Sequence, residues 1–544
     1  MNTIPSSVDV LVIGAGFGGI YAVAKFKEQG MTVSCLDQND GPGGVWNQNR
    51  YPGARVDSNS RFYAMTHDVN VYKDWTPREE FADSAEMRRY FEWLVQRLGV
   101  QDDIRYGQTV TRATYNEATA SWEIATADGS TVETTYLVLA IGSLNAPNTP
   151  QIPGENIFTG TVVHTSSWPT TEVPNLNGRV GVVGTGSSGI QVATQLSSTA
   201  EELYVLQRTP QYTLPLGNHP ADLAAREEIL QDFAGTREKI FAAPKGRPVA
   251  ETQYALAALP ADEQQRLLEE GWNQGANILV GMFTDLFTDP HANDILSDFV
   301  RAKIKAIVHD PETAELLTPS YGIGAKRIVR DSGFYEAFNR PNAHLISLAG
   351  NPIVELTETG LQTEKEHIEL DVLVMATGFD AMTGPLFRID LHGENGIRLE
   401  DQWKSGEQID SMGGLMVTGF PNMFIIGGAQ SPAVHVSVPV LNEYMVNQAS
   451  DIIDLAQTEQ AGSVQPPVEY CTQWTELVNE AGQGSITNTV ASWFNGGNID
   501  GKPRAFLTYQ GGFVNFQKYF DSLDKRRLLE PQRELAESTA AAGH

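Results

Sequence analysis

Two glycine-rich turns, each entered from a β-type run and left through a helical one, constrain this 544-residue chain more than any other feature. The first, Gly14-Ala15-Gly16-Phe17-Gly18-Gly19, follows the apolar run 8–13 and opens a helix with Ile20, Val23 and Ala24 on one face. Gly30 ends that helix, and a second strand runs into Asp37, 23 positions beyond Gly14. Glycines there let the backbone turn tightly and approach a pyrophosphate at a helix N-terminus, while the acid accepts the ribose hydroxyls. The second turn, Gly184-Thr185-Gly186-Ser187-Ser188-Gly189, repeats the arrangement after residues 179–183 and before a helix carrying Ile190, Ala193 and Leu196. Its counterpart of Asp37 is Arg208, 24 positions on, where an arginine meets the 2′-phosphate of NADP rather than a free ribose. The chain therefore reads as α/β, with two Rossmann-like dinucleotide-binding domains of opposite cofactor preference.

The net charge of −29 argues against nucleic acid and anionic membranes as partners, so phosphate-bearing ligands need local Arg or Lys. Two cysteines, Cys35 and Cys471, without a C-x-x-C, leave no disulfide framework, cysteine zinc site or dithiol centre. No His/Asp/Glu spacing suggests a metal, and no G-x-S-x-G suggests a serine hydrolase. With no membrane-length apolar stretch and no secretory signal, the expected location is the cytoplasm.

Between and after the turns the pattern changes several times. Residues 43–57 carry Gly, Pro and aromatic residues without periodicity and read as an ordered loop. Residues 108–141 read as a β-meander. Residues 220–310 are helical and rich in Ala, Leu, Glu and Gln, an inserted subdomain in which Trp272, Met282, Phe283 and Phe287 are core candidates. Residues 371–380 are a buried strand ending in A-T-G-F-D, and residues 530–544 form a polar tail.

Between the turns lies Phe158-x-Gly160-x-x-x-His164-x-x-x-Trp168-Pro169. This pattern resembles the fingerprint of Baeyer–Villiger monooxygenases, flavoenzymes that insert one atom of O2 beside a ketone carbonyl. Related monooxygenases of amines and sulfides usually end it in Tyr or Phe, so Trp168-Pro169 favours the ketone branch. The resemblance extends motif by motif from about residue 8 to about residue 504, and implies FAD in the first domain and NADPH in the second. It implies a FAD domain over 1–145 and 381–544, an NADP domain over 146–220 and 326–380, and a helical insertion over 221–325.

The resemblance also assigns residues. Arg327 matches the catalytic arginine, and Asp57 the carboxylate that tunes it. Lys326 joins Arg208 at the 2′-phosphate. Arg55 lies near the nicotinamide, Val438 against the isoalloxazine, and Trp493 in a mobile segment over the cofactor. Further cofactor contacts fall at Gly14, Gly16, Phe17, Gly19 and Gly44, and at Trp46, Tyr63 and Val110. Others fall at Gly184, Thr185, Gly186, Ser187, Ser188 and Gly189, with Gln191 and Thr209 beside them. Asn47 and Gln48 stand where the family commonly has aromatics, and Asp500 where it has proline. The implied reaction is NADPH- and O2-dependent conversion of ketones to esters or lactones through a flavin C4a-peroxide. His164 reads as a hydrogen-bonding group across the linker, with general-base chemistry as the alternative. Nitrogen or sulfur oxygenation, an NADPH oxidase and a non-catalytic redox sensor remain open.

Overall fold

The computed structural model of the chain describes residues 4–248 and 253–529, so the expected polar tail lies outside the described residues. Two sheets organise it. In the larger, Ser7–Ile13 lies between Val33–Asp37 and Thr131–Leu139, parallel to both, with Ile104–Tyr106 beyond Val33–Asp37. On the other side the meander Val110–Asn116, Ser121–Thr126 and Thr131–Leu139 runs antiparallel. Two late strands complete this sheet from far along the chain. Met423–Ile425 pairs with Thr131–Leu139, and Asp390–His392 with Val110–Asn116, both parallel.

The second sheet is wholly parallel, in the order Ala343–Ser347, Glu202–Gln207, Arg179–Val183, Val372–Met375, Thr161–His164. Parallel strands are covered on both faces, which is why Val180, Val182, Val205, Val372 and Val374 are all fully buried. Each sheet has its own apolar core.

The glycine turns are near duplicates at atomic level. Gly14 and Gly184 have φ of +102° and +107°, a left-handed region that glycine enters without strain. A Cβ on Gly14 would lie 2.5 Å from the Ala140 carbonyl oxygen, and one on Gly184 2.5 Å from that of Ala376. A Cβ on Gly19 or Gly189 would overlap the carbonyl oxygen of Gly14 or Gly184 respectively. The last glycine of each turn is thus the one that seats the helix against its strand, in Phe17–Glu28 in one case and Ser187–Leu196 in the other.

Among the described residues, six α-helices separate the paired strands Thr213–Leu214 and Val329–Arg330: Leu223–Gln231, Phe233–Ala242, Ala261–Gln274, Ala276–Gly281, Pro290–Ile307 and Pro311–Leu317. Their starts follow local chemistry. Asp289 and Asp310 accept hydrogen bonds from the His291 and Thr313 amides, each beside a proline in the first turn. Met282 and Phe283 are buried as expected, but Phe287 is not. Its ring is 39% exposed, resting where Gly324, at φ +94°, has no Cβ. The loop at 43–57 also departs from expectation by containing one helical turn, Val45–Gln48, started from Gly44 at φ +55°.

That loop joins the two halves. Tyr51 Oη donates to Gln191 Oε1 at 2.9 Å, and Gln191 Nε2 donates to the Arg55 carbonyl at 3.1 Å. His164 ties both connections between the sheets. Its Nδ1 accepts from the Ser166 amide at 3.1 Å, so the proton sits on Nε2, which lies 3.3 Å from the Asn148 carbonyl and 3.2 Å from Thr377 Oγ1. Burial lowers its pKa, keeping the ring neutral. Among the described residues no helix is long and apolar enough to cross a membrane.

The glycine geometry predicts unequal substitutions. Gly189→Ala should lower the unfolding temperature by several degrees, since overpacking costs about 1–3 kcal/mol. Gly186→Ala, with no atom within 4 Å of its Cβ, should leave it nearly unchanged. Equal thermal shifts in a melting experiment would contradict this account.

Candidate active site

The first glycine turn opens onto a cavity of about 380 Å³. Its lining includes the backbone at Gly14, Gly16 and Gly44 and the apolar side chains of Ile426, Ala433 and Val438. Asp37 faces it from the end of its strand, accepting the Ala15 amide at 2.5 Å and the Asn39 amide at 2.7 Å. Burial raises the pKa of Asp37 while those amides lower it, so a diol donating to the carboxylate would favour its charged form. A cavity lined by glycine-turn backbone, a carboxylate and apolar side chains fits a dinucleotide with a flat ring system. Phe17, Trp46, Tyr63 and Val110 also line it, with Trp46 Nε1 donating to Tyr63 Oη at 3.2 Å and Tyr63 edge-on to Phe17 at 5.2 Å. In place of aromatic walls, Gln48 Nε2 donates to Asn39 Oδ1 at 2.9 Å, and Asn47 Oδ1 accepts from Arg50 at 2.9 Å.

At the second turn, Thr185 Oγ1 donates to the Thr209 carbonyl at 3.1 Å. Arg208 is exposed just past the strand end. Lys326, 118 positions later, comes close enough that burial first and Arg208 second lower its pKa. The stretch 210–212 is laced to 321–327. Tyr212 Oη donates to the Tyr321 carbonyl at 2.7 Å, Tyr321 Oη to the Pro210 carbonyl at 2.9 Å, and Gln211 Nε2 to the Arg327 carbonyl at 3.0 Å. Two adjacent cations without a carboxylate between them fit a doubly charged phosphate.

Beside both turns, Arg327 Nη2 donates to Asp57 Oδ2 at 2.5 Å. Burial would raise the Asp57 pKa, but Arg327, then Arg330, outweigh it and hold it at about 2. Asp57 in turn raises that of Arg327, so the pair is fully ionised at neutral pH. Arg330 Nη1 donates to the Asp57 carbonyl. His435 completes the surround, its ring stacked on Phe494 at 5.5 Å and its Nε2 3.1 Å from Thr508 Oγ1. Burial, then Arg327 and Lys245, push its pKa down to about 4, so it is neutral. Trp493 packs on Phe494 at 4.4 Å.

A family model for pyridine nucleotide-disulphide oxidoreductases matches residues 8–232. A Baeyer-Villiger monooxygenase of Pseudooceanicola batsensis is 35% identical over 522 residues, which is 95% of this chain and 94% of that one. The phenazine N-monooxygenase PhzNO1 of Lysobacter antibioticus is 36% identical over 518 residues, 94% of each. A cyclohexanone monooxygenase from Rhodococcus sp. Phi1, bound to NADP+, superposes with a TM-score of 0.93 at 37% identity, covering 98% of this chain and 100% of that one. The chain belongs to the Baeyer–Villiger monooxygenases.

Disulfide chemistry has no place in this member of the family. Cys35 lies in a core strand and Cys471 in a separate helix, both free and buried, and burial raises both thiol pKa values. Trp168 of the fingerprint is buried in the core of the second sheet. Arg55, expected near the nicotinamide, is engaged by Glu79 and by the Phe81 carbonyl, the latter at 2.6 Å. Four residues that the motif reading passed over also belong here: Lys245, Arg247, Arg330 and His435. The available signals were Pro244-Lys245-Gly246-Arg247-Pro248, a basic knot in an acidic chain, and Arg330 three places after Arg327.

The depressed pKa of Asp57 has a defined sign. Its contribution to stability is present above the unfolded pKa of about 3.9 and is lost as pH falls from there toward 2. Asp57→Asn should therefore lower the urea midpoint most at pH 5 and above, with the gap to the unsubstituted protein narrowing from pH 5 to pH 3. A gap that widens on acidification would rule out the assignment.

Proposed function

We propose that this chain inserts one oxygen atom from O2 beside the carbonyl of a ketone, giving an ester or lactone at the expense of NADPH. FAD is placed at the first glycine turn, and NADPH at the second with Arg208 and Lys326. The observation that carries the reading is Arg327, fixed by Asp57 and close to Tyr63 of the flavin-side cavity and to His435, which contacts Thr508. We also assign the sheet of the first turn to a FAD domain and the parallel sheet to an NADP domain, with the six helices as an insertion.

Bound FAD, reduced by NADPH, supplies the electrons and the ring at which O2 is activated. The protein supplies position and field. Arg327 cannot lose its proton near neutrality and presents a planar donor fork. Its charge stabilises negative charge on the ketone oxygen as the carbonyl carbon becomes tetrahedral. Asp57 orients the guanidinium and offsets part of its charge. Neutral His435 adds no further charge and packs on Phe494, which in turn packs on Trp493. The Trp493–Phe494 stack forms a cover that keeps water from the reacting atoms.

The test supplies purified holoenzyme with NADPH, air and one linear plus one cyclic ketone, and follows NADPH loss and product mass. Product heavier by one oxygen, formed in step with NADPH loss, is expected. Arg327→Ala should cut product formation by about 10²–10³ while flavin reduction by NADPH persists. Ester formation that survives this change would remove Arg327 from the chemistry. Arg208→Ala combined with Lys326→Ala should reduce the preference for NADPH over NADH by at least about tenfold, each lost charged contact being worth about 1.5–3 kcal/mol. The 36% identity to a phenazine N-monooxygenase favours one second reading, oxygenation of an aromatic nitrogen. Phenazine in the same assay distinguishes it by an N-oxide product.

A further inference from the structure

The surroundings of Arg327 hold more positive charge than the proposed chemistry uses. Lys245, Arg247, Arg327 and Arg330 form one electrostatic cluster. Arg247 feels Asp57 and Arg327; Lys245 feels Arg247 and Arg330; Arg330 feels Asp57, Arg247 and Arg327. Among the described residues, Asp57 is the one carboxylate acting on any of them. Its Oδ2 is already taken by Arg327. Arg330 reaches the Asp57 main chain, and Arg247 Nη1 donates to neutral Asn277 Oδ1 at 3.0 Å. Lys245 Nζ makes no ion pair among the described residues and sits 5.9 Å over the Phe287 ring.

The cluster is enclosed yet reachable. Protein surrounds Lys245 closely enough that burial, then Arg247 and Arg330, bring its pKa down to about 8, while its side chain remains accessible. The backbone holds the pair firmly in place. Lys245 O accepts from the Ser437 amide at 3.0 Å, and Gly246, at φ +61°, lies so close that a Cβ would stand 2.8 Å from Val436 Cγ1. Val436 and Ser437 lead directly into Val438, on the apolar wall of the flavin-side cavity. The segment Lys245-Gly246-Arg247 is therefore packed against the stretch that contributes Val438 to that cavity. The phosphate-type contacts lie elsewhere, at the glycine turns and at Arg208 with Lys326.

Several cations sharing one carboxylate in a protein of net charge −29 carry a desolvation cost that an incoming anion would offset. The ion pair at Asp57 explains Arg327 but neither Lys245 nor Arg247. We propose that Lys245 and Arg247, backed by Arg330, form a subsite for a carboxylate on the substrate, so that this enzyme acts on keto acids in preference to neutral ketones. The inference rests on the ketone-oxygenation reading above and narrows its substrate class. The guanidinium of Arg247 offers a carboxylate two parallel donors, and Lys245 adds a movable one.

The test reads binding to the oxidised, NADP+-bound holoenzyme through the flavin absorbance, and so needs no turnover. The probes are 4-oxopentanoate and 4-acetylbenzoate, each against its methyl ester. Each acid should bind at least about tenfold more tightly than its ester. Arg247→Met and Lys245→Met should each bring the ratio toward one, and Arg247→Lys should retain part of it. The bound flavin spectrum shows whether each variant is folded. Acids that bind no better than their esters would overturn the proposal. So would an undiminished ratio in both Met variants, or Met variants whose principal loss is in NADP+ affinity. Failure of the oxygenation reading looks different: the acids bind preferentially, but NADPH consumption yields no oxygenated product from either acid.

Discussion

The contact between the last glycine of each turn and the carbonyl of the first is the constraint on which the architecture rests. At Gly19 and Gly189 there is no room for a single extra carbon, and this lets a helix pack directly against the strand that precedes it. The same close approach leaves the helix N-terminus open at the sheet's edge, where unsatisfied amides face a ligand. Repeating the device gives two such edges. The loop through Tyr51, Gly53 and Arg55 then presses them together, since a Cβ on Gly53 would lie 2.6 Å from the Gln191 carbonyl. Arg327 and Asp57 meet in the seam between these edges, though they are 270 positions apart.

That seam carries an electrostatic asymmetry that the rest of the chain does not share. The surface is strongly acidic, yet the interior around Asp57 concentrates cations around one carboxylate. In a partly enclosed site such charges act at a lower effective dielectric than on the surface. On the proposed reading, the field that stabilises oxygen anions during oxygenation also selects which ketones arrive. Chemistry and specificity are then two uses of one cluster, with Arg327 held to the first by Asp57 and Lys245 left available for the second.

Much of this was legible before folding was considered. The turn glycines, Asp37 and Arg208 stand at fixed offsets because a strand, a tight turn, a helix and a second strand span a nearly constant length. The helical character of residues 220–310 announced itself through their Ala, Leu, Glu and Gln, and helices such as Ala261–Gln274 and Pro290–Ile307 lie there. Phe287 was misread because its exposure depends on a distant glycine, Gly324, and the one-turn helix at Val45–Gln48 because four residues are too few for periodicity to register. Trp168 shows the opposite limit. It marks the family, but it lies in a core and touches no part of the cavity described here.

The sequence by itself determined the two dinucleotide turns and their opposite charge preferences, because these are written in local spacing, and it pointed to the class of enzyme through the resemblance of its fingerprint to a known family. Tertiary structure alone decided which charges share a site. Lys245 and Arg247 look like solvated surface in a basic knot between prolines, and Arg330 like one more charge on a short strand. Only the clamp of Gly246 against Val436, and the reach of Arg330 to the Asp57 main chain, bring them to one carboxylate. Charge acts through space with a range of several ångströms, and a one-dimensional pattern holds no record of which distant residues the folded chain brings within that range.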